Sequence, residues 1–192
     1  GPFGSSGGGF PPLFSKRLHG REAELLALHA AYARAAAGDP TFVMLGGPPG
    51  MGKSALVQEL RGSLIHGGYL AQGKFDLYQR DLPHLGFIQA FQSFAEQLLT
   101  ESDAQLARWR AEILEGVGAI ARVLSDFVPE LELVLGDLPP LPLLGPQETR
   151  ARLFLAVQRF LEAAATSQHP LVLVLDDLQW ADAGSRELLR EL

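Results

Sequence analysis

The chain has no cysteine among its 192 residues. Disulfide frameworks and cysteine-ligated zinc are therefore excluded. No apolar run approaches the length of a membrane-spanning helix. The first residues, Gly-Pro-Phe-Gly-Ser-Ser-Gly-Gly-Gly, lack the basic and then apolar pattern of a secretory signal. Basic residues are few: 16 Lys and Arg stand against 22 Asp and Glu, for a formal charge of −6. That balance argues against nucleic-acid binding by this segment, though not by a distant domain. The five histidines (His19, His29, His66, His84 and His169) lie far apart without metal-type spacing and read as surface or helix-end residues. The expectation is a cytoplasmic chain that contacts neither membrane nor nucleic acid directly.

What is present is enough apolar material for one core, 47% of the residues. Residues 1–16 read as a flexible linker or expression remnant. Residues 17–192 read as one folded domain. Its last residues, Arg186 to Leu192, stop inside an amphipathic pattern, so the sequence reads as a piece of a larger protein. The walk along it gives a helix over 21–37 that Gly38 can cap, a strand over 41–46, and a helix over 53–66. A second strand is expected over 69–75 and a helix over 85–99, with Phe87, Phe91, Phe94 and Leu98 on a core stripe. Residues 103–127 read as one or two helices broken near Gly116 and Gly118, with Trp109 as a packing residue. Residues 128–146 read as a proline-rich connector and not a helix. A long helix follows over 147–166, then a strand from Leu171 expected to be buried on both faces, then the final helix. The fold class is α/β, a parallel sheet with helices on both faces. A helical elaboration fills about 85–127.

Residues 47–54 read Gly-Pro-Pro-Gly-Met-Gly-Lys-Ser, a complete G-x-x-x-x-G-K-[ST] loop placed directly after the apolar run Phe42 to Leu45. The chain holds three lysines, Lys16, Lys53 and Lys74, so a chance match is expected in roughly a few chains per thousand of this composition. Such a loop needs glycine where a Cβ would block the approach of phosphate to backbone N–H groups. The helix that follows presents its positive end to the same anion. The loop makes the fold a P-loop NTPase type and names the ligand class, a nucleoside triphosphate with magnesium. Gly47, Pro48, Pro49, Gly50, Met51, Gly52, Lys53, Ser54 and Ala55 are the candidate nucleotide contacts. Lys53 is expected at the β- and γ-phosphates, and the Ser54 hydroxyl on magnesium. The strand Leu171 to Leu175 ends in Asp176-Asp177, a Walker B pattern. Asp176 is placed to hold magnesium and Asp177 to polarise the attacking water.

Three further strings carry a family resemblance. His19-Gly20-Arg21-Glu22-x-Glu24-Leu25, the phosphate loop, and Leu175-Asp176-Asp177-Leu178-Gln179-Trp180-Ala181-Asp182 resemble the AAA-type ATPases of the STAND signal-transduction group. The likeness covers about 17–192. Gly73-Lys74-Phe75-Asp76, Gln89-Ala90-Phe91 and Pro129-Glu130-Leu131-Glu132-Leu133 look most like the ATPase segment of large bacterial multi-sensor proteins, with Ser/Thr kinase, GAF and histidine-kinase domains around it. The resemblance implies that the nucleotide is ATP, that Gly20 and Arg21 lie near it, and that Trp180 packs the turn. It implies partners in the form of linked signalling domains, and ATP/ADP exchange as a switch with nucleotide-dependent self-association. An arginine acting on the γ-phosphate would come from outside this segment; failing that, Arg80 or Arg122 is the candidate. Two other readings compete: a scaffold for which ATP is structural, and the ATPase part of a DNA-binding regulator.

Overall fold

A computed structural model describes residues 20–48, 50–64, 67–79 and 82–192. In chain order it holds α1 (Glu22–Ala36), α2 (Lys53–Ser63), β1 (Tyr69–Lys74), α3 (Leu85–Leu98), α4 (Asp103–Val117), α5 (Arg122–Phe127), α6 (Glu130–Leu135), α7 (Pro146–Ala164), β2 (Leu171–Asp176) and α8 (Ala183–Glu191). β1 and β2 pair in parallel, in register from Tyr69 opposite Leu171 to Lys74 opposite Asp176. The fold is therefore α/β, helix-rich, around a small parallel sheet.

Strand alternation divides the core. Tyr69 and Ala71 point to one face, with Leu171, Leu173 and Leu175, and join the cluster built by α3, α4 and α7. Leu70, Val172 and Val174 point to the other face and meet Val57 and Leu64 of the α2 segment. α1 packs behind α2 through Leu28 against Leu56 and Leu60. The larger cluster is aromatic. Phe87, Phe91, Phe94 and Leu98 form the expected stripe of α3, and all are fully buried. Phe91 meets Phe160 edge-on at 5.1 Å. Trp109 is fully buried, and its indole N–H donates to the Tyr69 hydroxyl at 3.3 Å.

α3 does more than cover the sheet. The outer edge of β1 would expose the N–H groups of Leu70, Gln72 and Lys74. Each meets an α3 side chain instead: Gln97 Oε1 at 3.4 Å, Ser93 Oγ at 2.9 Å and Gln89 Oε1 at 2.9 Å. Gln97 also donates to the Leu70 carbonyl at 2.8 Å. The spacing is i, i+4, i+8, one stripe of the helix beside the phenylalanine stripe. This brings the helix unusually close. A Cβ on Gly73 would collide with the Gly86 carbonyl and sit 2.9 Å from the Ala90 nitrogen, so glycine is required there by space.

Several expectations need correction. Residues 41–46 are not a strand: they carry no regular structure, and Phe42, Val43 and Met44 are exposed. An extended segment becomes a strand only by pairing, and among the described residues nothing pairs with it. Of its apolar residues Leu45 packs inward, against the cluster of Val57, Leu64 and Leu70. β2 was expected to be buried on both faces, but every residue of it is half-buried, because its second edge carries no strand among the described residues. The proline-rich connector over 128–146 contains α6. Leu131, Val134 and Leu135 make an apolar stripe there, and the prolines that forbid helix begin only at Pro139. The helical break falls at Gly118, with φ +70, and not at Gly116, which lies inside α4 against Ala163 of α7. His84 stands at a helix end, the start of α3, as expected, whereas His169 is half-buried against the Trp109 ring and is neither on the surface nor at a helix end. Residues 1–16, Pro49, Arg80, His19 and His66 lie outside the described residues.

Replacing Gln97 with methionine keeps the volume but strips the Leu70 backbone of its partner. A loss of about 1–3 kcal/mol is expected, read as a lower urea midpoint at unchanged slope.

Candidate functional site

The phosphate loop joins residues 41–46 to α2, and its backbone explains its glycines. Gly50 and Gly52 sit at φ +82 and +79, conformations that a side chain strains. Gly52 is the N-cap of α2, so the helix begins on Lys53 and Ser54. The first N–H groups of α2 have no intrahelical acceptor and lie at the loop. Lys53 folds back onto the loop: its ammonium donates to the Gly47 carbonyl at 2.7 Å and the Pro48 carbonyl at 3.1 Å. Ser54 is exposed, as is Met51, whose sulfur lies against Gly47.

Asp176 ends β2, and one of its oxygens accepts the Asp177 N–H at 2.9 Å. Asp177 then leaves the strand in the left-handed region, φ 56 and ψ 44, which aspartate tolerates better than most residues. Its carboxylate is held from two sides. Lys74 Nζ lies 3.2 Å from one oxygen, and Gln179 Nε2 donates to the other at 2.9 Å. Partial burial pushes the Asp177 carboxyl upward, but the bonds from Lys74 and Gln179 and the charges of Lys74 and Lys53 outweigh it and hold it below the usual range. The helix that follows the phosphate loop packs on β2: Val57 and Leu64 cluster with Val172 and Val174. Lys74 is raised above its ordinary value, first by its bond to Asp177.

A second acid ties this end of the sheet to the helices. Asp182 is the N-cap of α8 and accepts the Ser185 N–H at 2.9 Å; the Ser185 hydroxyl bonds it as well. Its other oxygen accepts the His84 N–H at 3.0 Å, at the start of α3. His84 is at φ 62, so the two non-glycine residues with positive φ among those described, His84 and Asp177, both lie at this end. The His84 ring is wedged against Phe127 and Phe154.

The other sequence candidates fall as follows. Gly20 has φ +83, and its N–H reaches Glu22 at 3.3 Å. Arg21 precedes α1 and pairs with Glu24 at 3.8 Å. Both are thus engaged within the first turn of α1. Arg122, the fallback arginine, is tied to Asp126 at 2.8 Å and to the Leu138 carbonyl at 2.9 Å. It fastens α5 to the connector, which leaves it poorly placed as a mobile finger. Lys74 was missed as a site residue. Its signal was available: a rare lysine at the carboxyl end of a strand.

Among the described residues no group of three or more His, Cys, Asp or Glu could hold a metal by itself. The two sequence candidates for the metal are a carboxylate, Asp176, and a hydroxyl, Ser54. That set fits magnesium, which takes few protein ligands and completes its shell with phosphate and water. A cleft of about 560 Å³ lies between α7 and α8, beside Arg150, Phe154 and Glu187. The loop offers backbone donors at the head of α2. Among the described residues no helix is long and apolar enough to cross a membrane.

The model of the AAA ATPase domain family matches residues 17–192. The hybrid signal transduction histidine kinase G of Dictyostelium discoideum is 30% identical over 182 residues, which is 94% of this chain and 5% of that protein. The chain thus spans about a twentieth of that relative's length. No solved structure matches the chain.

Asp182 supports a pH-dependent prediction. Burial works to raise its pKa, but the bonds from Ser185 and His84 leave it below the ordinary carboxylate value. A carboxyl lowered on folding stabilises the fold above its unfolded pKa, and that stability is lost as pH falls through the folded value. Asp182→Ala should therefore cost about 1–2 kcal/mol at pH 7. Denaturation at descending pH should show the wild type and variant converging below about pH 3.9.

Proposed function

The chain belongs to the AAA ATPase domain family, and on that premise we propose that it is an ATP–magnesium-binding, slowly hydrolysing switch segment of a larger signalling protein. The observation that carries this reading is the loop itself: it hands the chain to α2 at Gly52, holds the Lys53 ammonium on its own carbonyls, and leads into a helix whose Val57 clusters with Val172 and Val174 of β2. It supports a single site made from the phosphate loop and the end of β2.

In this reading the phosphates take the free N–H groups at the head of α2, along Gly47 to Ala55. Lys53 exchanges the carbonyls of Gly47 and Pro48 for β- and γ-phosphate oxygens. A cation already bonded to the loop is thereby delivered to the anion that the loop encloses. Ser54 and Asp176 hold magnesium, which when bound neutralises charge on the phosphate oxygens. Asp177 orients and polarises the attacking water. Gly20 and Arg21 belong at the rim of the nucleotide, and Arg21 would exchange Glu24 for it.

The name of the Dictyostelium relative, a hybrid signal transduction histidine kinase, supports a setting among covalently linked signalling domains. There the ATP and ADP states would act as the switch, with self-association in the ATP state.

Lys53→Ala should abolish tight ATP binding; unchanged affinity by calorimetry would sink the phosphate-loop reading. Asp176→Asn should weaken binding with magnesium much more than binding without it. Equal losses in both buffers would remove Asp176 from the metal. Single-turnover hydrolysis by the chain should be slow and should rise by roughly 10³–10⁵ when an arginine finger is supplied by a longer chain or a neighbouring copy. Equal rates would mean that no such group is missing.

A further inference from the structure

Of the chain's three lysines, Lys53 is bonded to loop carbonyls and Lys74 to an acid at the carboxyl end of the sheet. Lys53 belongs to the phosphate loop. Lys74 belongs to no catalytic motif, yet it is the lysine in direct contact with Asp177. Its backbone is fixed on both edges of β1. On one side it stands in register with Asp176; on the other its N–H is held by Gln89 of α3 at 2.9 Å. The side chain therefore starts from a rigid point beside the two acids. Asp177 is the opposite case. It has left the strand, in a left-handed turn, and its carboxylate plane is set by whatever donors reach it.

Two donors do, one per oxygen: Lys74 at 3.2 Å and Gln179 at 2.9 Å. They come from different elements, the end of β1 and the turn after β2. Each carboxylate oxygen has a second lone pair, so a water can still be accepted. The surroundings are otherwise repulsive. Asp76 and Asp176 share this end of the sheet with Asp177, and all three act on the Lys74 charge. A nucleotide polyphosphate would add to that repulsion.

We propose that Lys74 is a positioning residue: together with Gln179 it fixes the plane of the Asp177 carboxylate against the pull of its acidic neighbours, and so aims it at the attacking water. This rests on the reading of Asp177 as the acid that polarises that water. Lys74 touches the acid, not the phosphates.

The test compares wild type, Lys74→Met, Lys74→Arg, Asp177→Asn and the Lys74→Met/Asp177→Asn double variant of the whole chain. Two readouts are needed: single-turnover ATP hydrolysis with magnesium, and calorimetric ADP affinity without it. Lys74→Met should slow hydrolysis about tenfold or more, as a misaimed group does. Its metal-free ADP affinity should stay within about twofold of wild type. Lys74→Arg should regain most of the rate, since a guanidinium can donate to the same oxygen. Adding Lys74→Met to Asp177→Asn should cost nothing further.

Wild-type rates in Lys74→Met would overturn the proposal and leave Asp177 untouched. A fall in metal-free ADP affinity as large as that of Lys53→Ala would make Lys74 a phosphate ligand instead. Additive losses in the double variant would show that Lys74 acts independently of Asp177. If Asp177→Asn turns over like wild type, or the wild type shows no turnover, the parent reading falls and this one with it. Lys74 is exposed, and matched melting curves exclude a folding defect.

Discussion

The arrangement rests on the sealing of one sheet edge by one helix. A parallel strand with a bare edge invites further pairing. β1 is denied it: Gln89, Ser93 and Gln97 satisfy its outward N–H groups, and Gly73 lets α3 come close enough for them to reach. The same helix turns its phenylalanines into the core between the sheet and α4–α7. Helix, strand and aromatic core are thereby fixed by one contact surface. With that edge closed, β1 has one partner, β2, and the register of that pair places Lys74 beside Asp176. The geometry of the acidic end follows from the polar stripe of α3.

That stripe also shows where sequence reading stopped. The phenylalanines of α3 were legible because apolar residues at helical spacing have one common explanation, burial. Gln89, Ser93 and Gln97 have the same spacing, but polar residues on a helix are normally explained by water. Only the position of β1 gives them another role. Boundaries followed the same logic. β1, α3, α4 and α7 stand where periodicity put them. α6 was hidden because the prolines of 139–142 coloured the reading of the residues before them. The segment 41–46 has the composition of a strand, and composition cannot supply the neighbour that makes one.

The phosphate loop was legible residue by residue, since its steric demands leave little choice but glycine at Gly50 and Gly52. Asp176 and Asp177 were legible as a pair. What no local pattern could reveal is how they are held. Asp177 depends on Lys74 and Gln179, and Lys74 lies more than 100 residues away along the chain. Asp182 presents the same difficulty. Read locally, it caps α8. In the fold it also holds His84, 98 residues earlier, and so fastens the start of α3 to the turn that carries Asp177.

The two acids differ in how completely they are held, and their surroundings tell them apart. Asp182 is saturated: Ser185 supplies two donors and His84 a third, all within or beside helix starts. Such a carboxylate has little left to offer a ligand. Asp177 has one donor per oxygen, one of them from a flexible lysine, and stands in a left-handed turn at the strand end. Strain of that kind persists where neighbours enforce it, and here the neighbours are Lys74 and Gln179, which leave each oxygen room for one more donor. Lys53, bonded to its own loop, is in the same position. The residues that hold the fold together are therefore those whose bonds are complete. The residues with capacity to spare are Asp177, which keeps a lone pair open on each oxygen while Lys74 and Gln179 hold it, and Lys53, whose loop carbonyls can be exchanged for another acceptor.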